Sequence, residues 1–274
     1  MNSFMTENET TYQKLTPNDT WTSQSMVDIP VRAVNFGDGL FETMVFDHGE
    51  IRFFDKHIKR LYEGMGVLGL KSENIDPKEL LHFLRKNYPD ILLRVRWNVV
   101  RAGKGKYTPE RNEVIQNLQL SEFKTASAVK GSADVSLKIQ LFPTPWSRFK
   151  TLNSLPYVLA NLERTERGLD EIILLDNRGF VSEAGSSNVF WVKDEVIYTP
   201  SLSCSCINGI GRQAILDQLT KKSIPFQEGE YKISELETSD QIFVSNCTGI
   251  SYLGRFQRRR LDTRPLDFLK LIFH

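Results

Sequence analysis

From Leu40 onward the chain switches between two periodicities, and each switch marks a boundary. Leu40 to Phe46 and Ile51 to Phe54 are rich in strand formers and flank Asp47-His48-Gly49-Glu50, which predicts a β-hairpin. The period then becomes helical. In DKHIKRLYEGMGVLGL, Ile58, Leu61, Tyr62 and Met65 recur at helical spacing, with Asp55 as the expected N-cap and Lys56, Lys59, Arg60 and Glu63 on other faces. A second helix opens at Asp76-Pro77, an N-cap followed by proline at the first helical position, with Leu80, Leu81 and Leu84 as its stripe. ILLRVRWNVVRAG sets Val95, Trp97 and Val99 against Arg94, Arg96 and Asn98, the alternation of a strand with one polar face. EVIQNLQLSEF and VSLKIQLF also predict strands, and the glycines and proline of RAGKGKYTPERN predict a loop.

Pro143 and Pro145 mark a linker, after which the pattern starts again. Leu155, Val158, Leu159 and Leu162 follow the i, i+3, i+4, i+7 rule, and Gly168 is placed to end that helix in a left-handed cap. EIILLD and FVSE pair across Asn177-Arg178-Gly179, and SSNVFWV returns through Lys193-Asp194-Glu195 to VIYTP. INGIGRQAILDQL predicts a helix that starts from glycines and buries Ile215, Leu216 and Leu219, and QIFVSNCTGISYL a last strand leading into a loop. Residues 1 to about 25 are polar, and the first ten read as disordered.

Composition narrows the function. With 274 residues, 40% hydrophobic and 25% charged, the chain can bury one large core or two modest ones. A net charge of +1, from 35 basic and 34 acidic residues, sets up no global field that would draw in nucleic acid or an anionic membrane, which points to a small-molecule partner. No apolar run approaches the roughly 20 residues of a membrane helix, and MNSFMTENETTYQKL has neither the basic start nor the apolar stretch of a signal peptide. A cytoplasmic protein is expected. Cys204, Cys206 and Cys247 are an odd set and, with four histidines, make no metal pattern; buried thiols in a reducing compartment are the expectation.

One residue breaks the bland pattern. In FKTLNSLPYVLANLERTERGLDEIILLD, Lys150 stands at the mouth of an apolar helix. A lysine there can simply snorkel, its stem packed and its ammonium in water. Partly desolvated, it becomes instead a neutral nucleophile able to form a Schiff base with an aldehyde. A pyridoxal phosphate site would further need an acid for the pyridine nitrogen, a phosphate cradle and a cation on the phosphate. Glu183 follows the GFVSE strand and precedes Ala184-Gly185-Ser186-Ser187, where a flat ring could approach the backbone. NGIGR offers the N–H groups of Ile210 and Gly211 at a helix start, and Arg60 could supply the charge.

FGDGLFET, FFDKHIKRL, KTLNSLPYVLANLE, GLDEIILLD, GFVSEAGSSNVF, VIYTP, NGIGRQAIL and FVSNCTGI stand in one order over about residues 34 to 253. In that order and spacing the chain resembles the fold-type IV pyridoxal phosphate enzymes, or class IV aminotransferases. That family includes branched-chain aminotransferases, D-amino acid aminotransferases and 4-amino-4-deoxychorismate lyases. The resemblance implies a two-domain α/β (α+β) fold with the cofactor, pyridoxal 5'-phosphate, at the domain junction. A small α/β domain over 26–120 would follow the polar segment 1–25, a larger one would span 121–274, and a homodimer is implied. Lys150 would be the catalytic lysine that holds the cofactor, Glu183 the partner of its ring nitrogen, and Arg60, Ile210 and Gly211 its phosphate ligands. Cys247 or Thr248 would be a third phosphate contact and Asn188 structural.

The resemblance also sets the candidate reactions: the lysine moves a substrate proton, after which a transaminase releases a 2-oxo acid and a deoxychorismate lyase eliminates pyruvate from 4-aminobenzoate. FGDGLFET looks like the lyase and D-amino acid subgroups, and RAGKGKY is similar to a basic segment of the lyases, in which Arg101, Lys106 or Tyr107 could meet a substrate carboxylate. A solvated charged loop is the competing reading of that segment. The lyase leads, with transamination of a small branched-chain or D-amino acid as the alternative. Two departures stand out. Gly211 replaces a threonine of many relatives, and Leu155 stands five residues after the lysine where branched-chain enzymes usually have tyrosine. A third possibility is a non-catalytic protein that binds an anionic partner through Arg258-Arg259-Arg260.

Overall fold

The computed structural model describes residues 10–14, 21–23 and 31–273. They form two compact units, one of residues up to Lys124 together with Phe149–Asn153, the other of Thr125–Arg148 together with residues from Ser154 on.

The first unit contains β1 (Thr10–Lys14), β2 (Thr22–Ser23), α1 (Val31–Phe36), β3 (Gly39–Asp47), β4 (Glu50–Ile51), α2 (Phe54–Leu68), α3 (Pro77–Asn87), β5 (Leu93–Arg101) and β6 (Val114–Glu122). Its strands form one antiparallel sheet in the order β2-β1-β6-β5-β3-β4. The predicted hairpin is there: His48 (φ 45°) and Gly49 (φ 81°) both turn left-handed, the geometry of a tight two-residue hairpin. Against this sheet α2 and α3 bury Leu61, Met65, Leu80 and Leu84 over Met44, Phe46, Val95 and Trp97, each side chain contributing about 1.5–3 kcal/mol by its removal from water. Asp76 caps α3 as expected, accepting from Lys78 N at 2.9 Å and Glu79 N at 3.3 Å.

Three expectations need correction. Asp55 does not cap α2: the helix starts at Phe54, two residues earlier than an Asp55 cap would set it, because Phe53 (φ 55°) bends the chain out of β4, and Asp55 sits in the first turn. Arg60 does not lie on a solvent face; it is buried beside His57 and Gly64 because a carboxylate on β3 receives it. Thr10, at the end of the stretch expected to be disordered, is ordered in β1, which pairs with β6 over five residues from Thr10↔Leu120 to Lys14↔Gln116. The rest of the stretch expected to be disordered, residues 1–9, lies outside the described residues.

The second unit holds β7 (Val129–Lys130), β8 (Ala133–Leu141), α4 (Leu155–Glu166), β9 (Glu171–Asp176), β10 (Val181–Ala184), β11 (Asn188–Lys193), β12 (Val196–Pro200), α5 (Ile210–Lys221), β13 (Phe226–Gly229), α6 (Ser234–Thr238), β14 (Gln241–Asn246), β15 (Gly249–Leu253), β16 (Arg255–Phe256) and β17 (Arg259–Arg260). Its sheets run β10-β9-β8-β16-β17 and β13-β12-β11-β14-β15-β7. Trp191, Val189, Val181 and Ile242 form one core cluster, and Ile215 and Leu219 of α5 pack with Phe190 and Phe243 in another.

The apolar stripe of α4 faces outward: Leu155, Val158, Leu159 and Leu162 are 64%, 53%, 42% and 54% exposed. The helix buries Ala160 and Glu163 instead. Glu163 decides this orientation. Its carboxylate accepts from Ser136 Oγ (2.6 Å), Leu137 N (2.8 Å) and Lys138 N (3.3 Å), satisfying amides freed by the irregular register of β8 between Val135 and Gln140. Burial works against that carboxylate's charge, but these donors and Arg167 outweigh it and hold its pKa below the usual range.

Candidate active site

In the first unit, Phe149–Asn153 runs along the start of β3: Phe41 N donates to Lys150 O at 2.8 Å and Leu152 N to Gly39 O at 3.0 Å. Lys150 Nζ sits 4.7 Å from the centre of the Phe41 ring, and the Arg96 guanidinium carbon lies 3.8 Å from the same ring. Next to Phe41 in sequence, Glu42 accepts from Arg60 Nε (2.8 Å) and Nη2 and pairs with His57 Nδ1 (2.7 Å), all three side chains buried. Burial pushes the Glu42 carboxyl up, but the Arg60 charge and the His57 and Arg60 hydrogen bonds outweigh it and hold it at about 2. His57 is pushed down, first by burial and against the pull of Glu42, with the Arg60 and Lys150 charges adding to the fall. The imidazole is therefore neutral near pH 7 and the triad carries a paired charge.

The RAGKGKY segment behaves differently from the expectation. Arg101 is buried, and its nitrogens donate to Asp38 (Nε, 2.9 Å), Asn112 and Gly69 O (Nη1), and Leu68 O (Nη2, 2.6 Å). It is a strut of the fold rather than a group held ready for a substrate carboxylate. Arg32 completes the strut, bonding Asp38 through Nε at 2.8 Å and holding the loop by Lys104 O and Lys106 O. Lys106 and Tyr107 are exposed, Tyr107 at 89%.

In the second unit, β10 carries Glu183 in a buried position, where its Oε1 accepts from Tyr157 Oη at 2.6 Å and from Ile207 N at 3.1 Å. Two residues beyond Ile207, Gly209 opens α5 without any side-chain cap, so the first-turn amides of Ile210 and Gly211 have none of the capping oxygens a helix start normally recruits. A Cβ on Gly211 would lie 2.6 Å from both Asn246 O and Ser245 Oγ, so the missing threonine has no room here. Gly211 and the 245–248 turn are thus brought together. Ser245 Oγ is buried there with no hydrogen-bond partner. Thr248 commits its hydroxyl proton to Asn246 Oδ1 at 2.6 Å, which removes the donor it was expected to offer a phosphate; Cys247 is half-buried. Asn188 donates from Nδ2 to Ile207 O at 2.7 Å, steadying the segment that reaches Glu183. An uncapped helix start, an unpartnered buried hydroxyl beside it and a buried carboxylate tied to the segment leading into that helix suit a phosphorylated pyridine ring.

The family model for class IV amino-transferases matches residues 39–251, most of the chain. The chain belongs to the class IV aminotransferases. These are enzymes that use pyridoxal 5'-phosphate. Among class IV aminotransferases, the D-alanine aminotransferase of Listeria monocytogenes is 28% identical over 235 residues, 81% of this chain and 79% of the relative. The 4-amino-4-deoxychorismate lyase of Pseudomonas aeruginosa superposes with a TM-score of 0.75 at 25% identity, covering 88% of this chain and 92% of the lyase. The branched-chain aminotransferase of the archaeon Thermoproteus uzoniensis, solved with norvaline, gives a TM-score of 0.83 at 20% identity over 96% of this chain and 92% of that one, a likeness of fold.

Sequence reasoning missed Glu42, His57, Arg96, Tyr157 and Ser245. A glutamate inside the apolar run LFETMVF was a visible signal, because a buried charge requires a partner. Arg96 read as a polar-face residue, and nothing in the chain around Tyr157 pointed to Glu183.

Proposed function

We propose that this enzyme is a 4-amino-4-deoxychorismate lyase, in which Lys150 holds pyridoxal 5'-phosphate covalently and then acts as the base on the substrate carbon bearing the amine. The bound cofactor supplies the electron sink for that carbon. Glu183 supplies the negative charge that keeps the ring nitrogen protonated. Arg60, aimed by Glu42, and the first amides of α5 at Ile210 and Gly211 hold the phosphate. Arg96, which lies over the same Phe41 ring as Lys150, meets a substrate carboxylate in this reading, in place of the buried Arg101.

The observation that carries the choice of reaction is the likeness to the Pseudomonas aeruginosa lyase over 88% of this chain; FGDGLFET favours the lyase and D-amino acid subgroups alike over the branched-chain type. Transamination of a small D-amino acid is the second reading, favoured by the D-alanine aminotransferase of Listeria monocytogenes. Supplying aminodeoxychorismate in one reaction and D-alanine with 2-oxoglutarate in another separates them. Formation of 4-aminobenzoate and pyruvate supports the lyase; glutamate formation without 4-aminobenzoate replaces it by the transaminase.

The outward stripe of α4 supports a homodimer, since four large apolar side chains on one helix face are a typical protein contact. The three cysteines are free, which suits a reducing compartment such as the cytoplasm. Among the described residues no helix is long and apolar enough to cross a membrane, and no cluster of His, Cys, Asp and Glu could hold a metal ion. Arg258, Arg259 and Arg260 are exposed, with Arg259 donating to Glu237 O and Ser239 O.

A further inference from the structure

Glu183 is a buried carboxylate, and its Oε1 accepts from two neutral donors, the Tyr157 phenol and the Ile207 amide. An arginine in the same place would cancel the carboxylate's charge, whereas a neutral O–H or N–H stabilises the anion and leaves its field intact. Tyr157 is also held to its task. Asn161, one turn on along α4, donates from Nδ2 to both Tyr157 O and Gly185 O at 2.9 Å, tying the helix to the chain two residues past Glu183. Tyr157 packs against the buried cluster of Leu141, Ala160, Ile172 and Leu174.

We infer that Tyr157 is a positioning residue that acts through Glu183, fixing the carboxylate and sustaining its negative charge so that a pyridine nitrogen facing it keeps its proton. The inference rests on the cofactor reading above. Burial first, and then the charge and hydrogen bond of Glu183, raise the phenol's pKa well above 10, so Tyr157 remains a donor throughout the working pH range. The neighbouring Cys206 thiol is likewise pushed up by burial and by Glu183, and stays neutral. Without the phenol proton the Glu183 carboxylate would become the stronger base and would compete for the proton of a ring nitrogen facing it, the proton on which an electron sink depends.

The test is Tyr157→Phe in the full-length protein loaded with pyridoxal 5'-phosphate labelled with 15N in its ring. The wild type is expected to show a pyridinium nitrogen resonance. In the variant that resonance moves toward the neutral pyridine position, while pyridoxal 5'-phosphate stays bound, because Lys150 and the proposed phosphate ligands are untouched. In a Glu183→Gln background the nitrogen is already neutral, and adding Tyr157→Phe moves it no further. Should phenylalanine compromise folding, Tyr157→Met carries the same measurement. An unchanged resonance in the single variant overturns the inference, as does an equal shift in the Glu183→Gln background. A wild type that does not bind the cofactor overturns the cofactor reading itself, and the inference with it.

Discussion

Replacing Glu42 by glutamine tests whether the Arg60 site is assembled by charge. Glu42 falls from an ordinary carboxyl pKa of 4.5 to about 2, and at about 1.4 kcal/mol for each pKa unit the ion pair contributes about 3 kcal/mol to folding near neutral pH. Glutamine keeps the shape and one acceptor but leaves the Arg60 guanidinium buried without a counter-charge, a change that typically costs about 3–5 kcal/mol. The sign of the pH dependence follows from the depressed pKa. The contribution is complete above pH 4.5 and is lost as the pH falls through about 2. Urea unfolding of the cofactor-free wild type and Glu42→Gln, followed from about pH 8 to about pH 3.5, is the assay. We expect the variant to be less stable by about 3 kcal/mol, with a gap that is flat down to about pH 5 and narrows below it. The variant should also bind pyridoxal 5'-phosphate more weakly, because Arg60 loses the bidentate hold on its plane. A gap under about 1 kcal/mol at about pH 7, the size of an exposed ion pair, or one that widens in acid, would refute the reasoning.

Gly211→Thr restores the residue of many relatives, yet its Cβ would meet a backbone oxygen and Ser245 Oγ at 2.6 Å; a loss of about 1–3 kcal/mol in thermal unfolding is expected, and an unchanged melting temperature would show that the turn at 245–246 yields easily. Leu159→Glu places a charge in the middle of the outward face of α4. Light scattering should report a dimer for the wild type and a monomer with an intact circular dichroism spectrum for the variant, whereas identical masses for both would remove α4 from the interface. Because His57 is buried with a pKa lowered from 6.5, wild-type stability should decline as the pH drops below that value, and His57→Asn should flatten that decline.

Much of the proposed site was legible because its chemistry depends on residue type at short range. Lys150, Glu183 and the glycines around Ile210 stand out where a strand or helix begins, and local spacing predicts those beginnings. The hairpin at His48-Gly49, the Asp76 cap and the α5 start follow from the same short-range rules. Contacts made between a helix and a strand were not legible. Glu42 receives Arg60 from 18 residues away, and Tyr157 reaches Glu183 from 26 away. Arg101 shows the converse: its composition suits a substrate ligand, but Asp38 from the neighbouring strand start claims it.

The sequence alone therefore determined the elements, the family and the residue types of the chemistry, since these depend on periodicity and on side chains a few positions apart. Which face each element buries was decided only by tertiary structure. On α4 the leucine stripe predicts the inner face, but Glu163 satisfies the open amides of β8 and turns the stripe to solvent. A buried polar group left unpaired costs as much as an apolar side chain gains by burial, so periodicity cannot decide orientation until the partners of the polar residues are known.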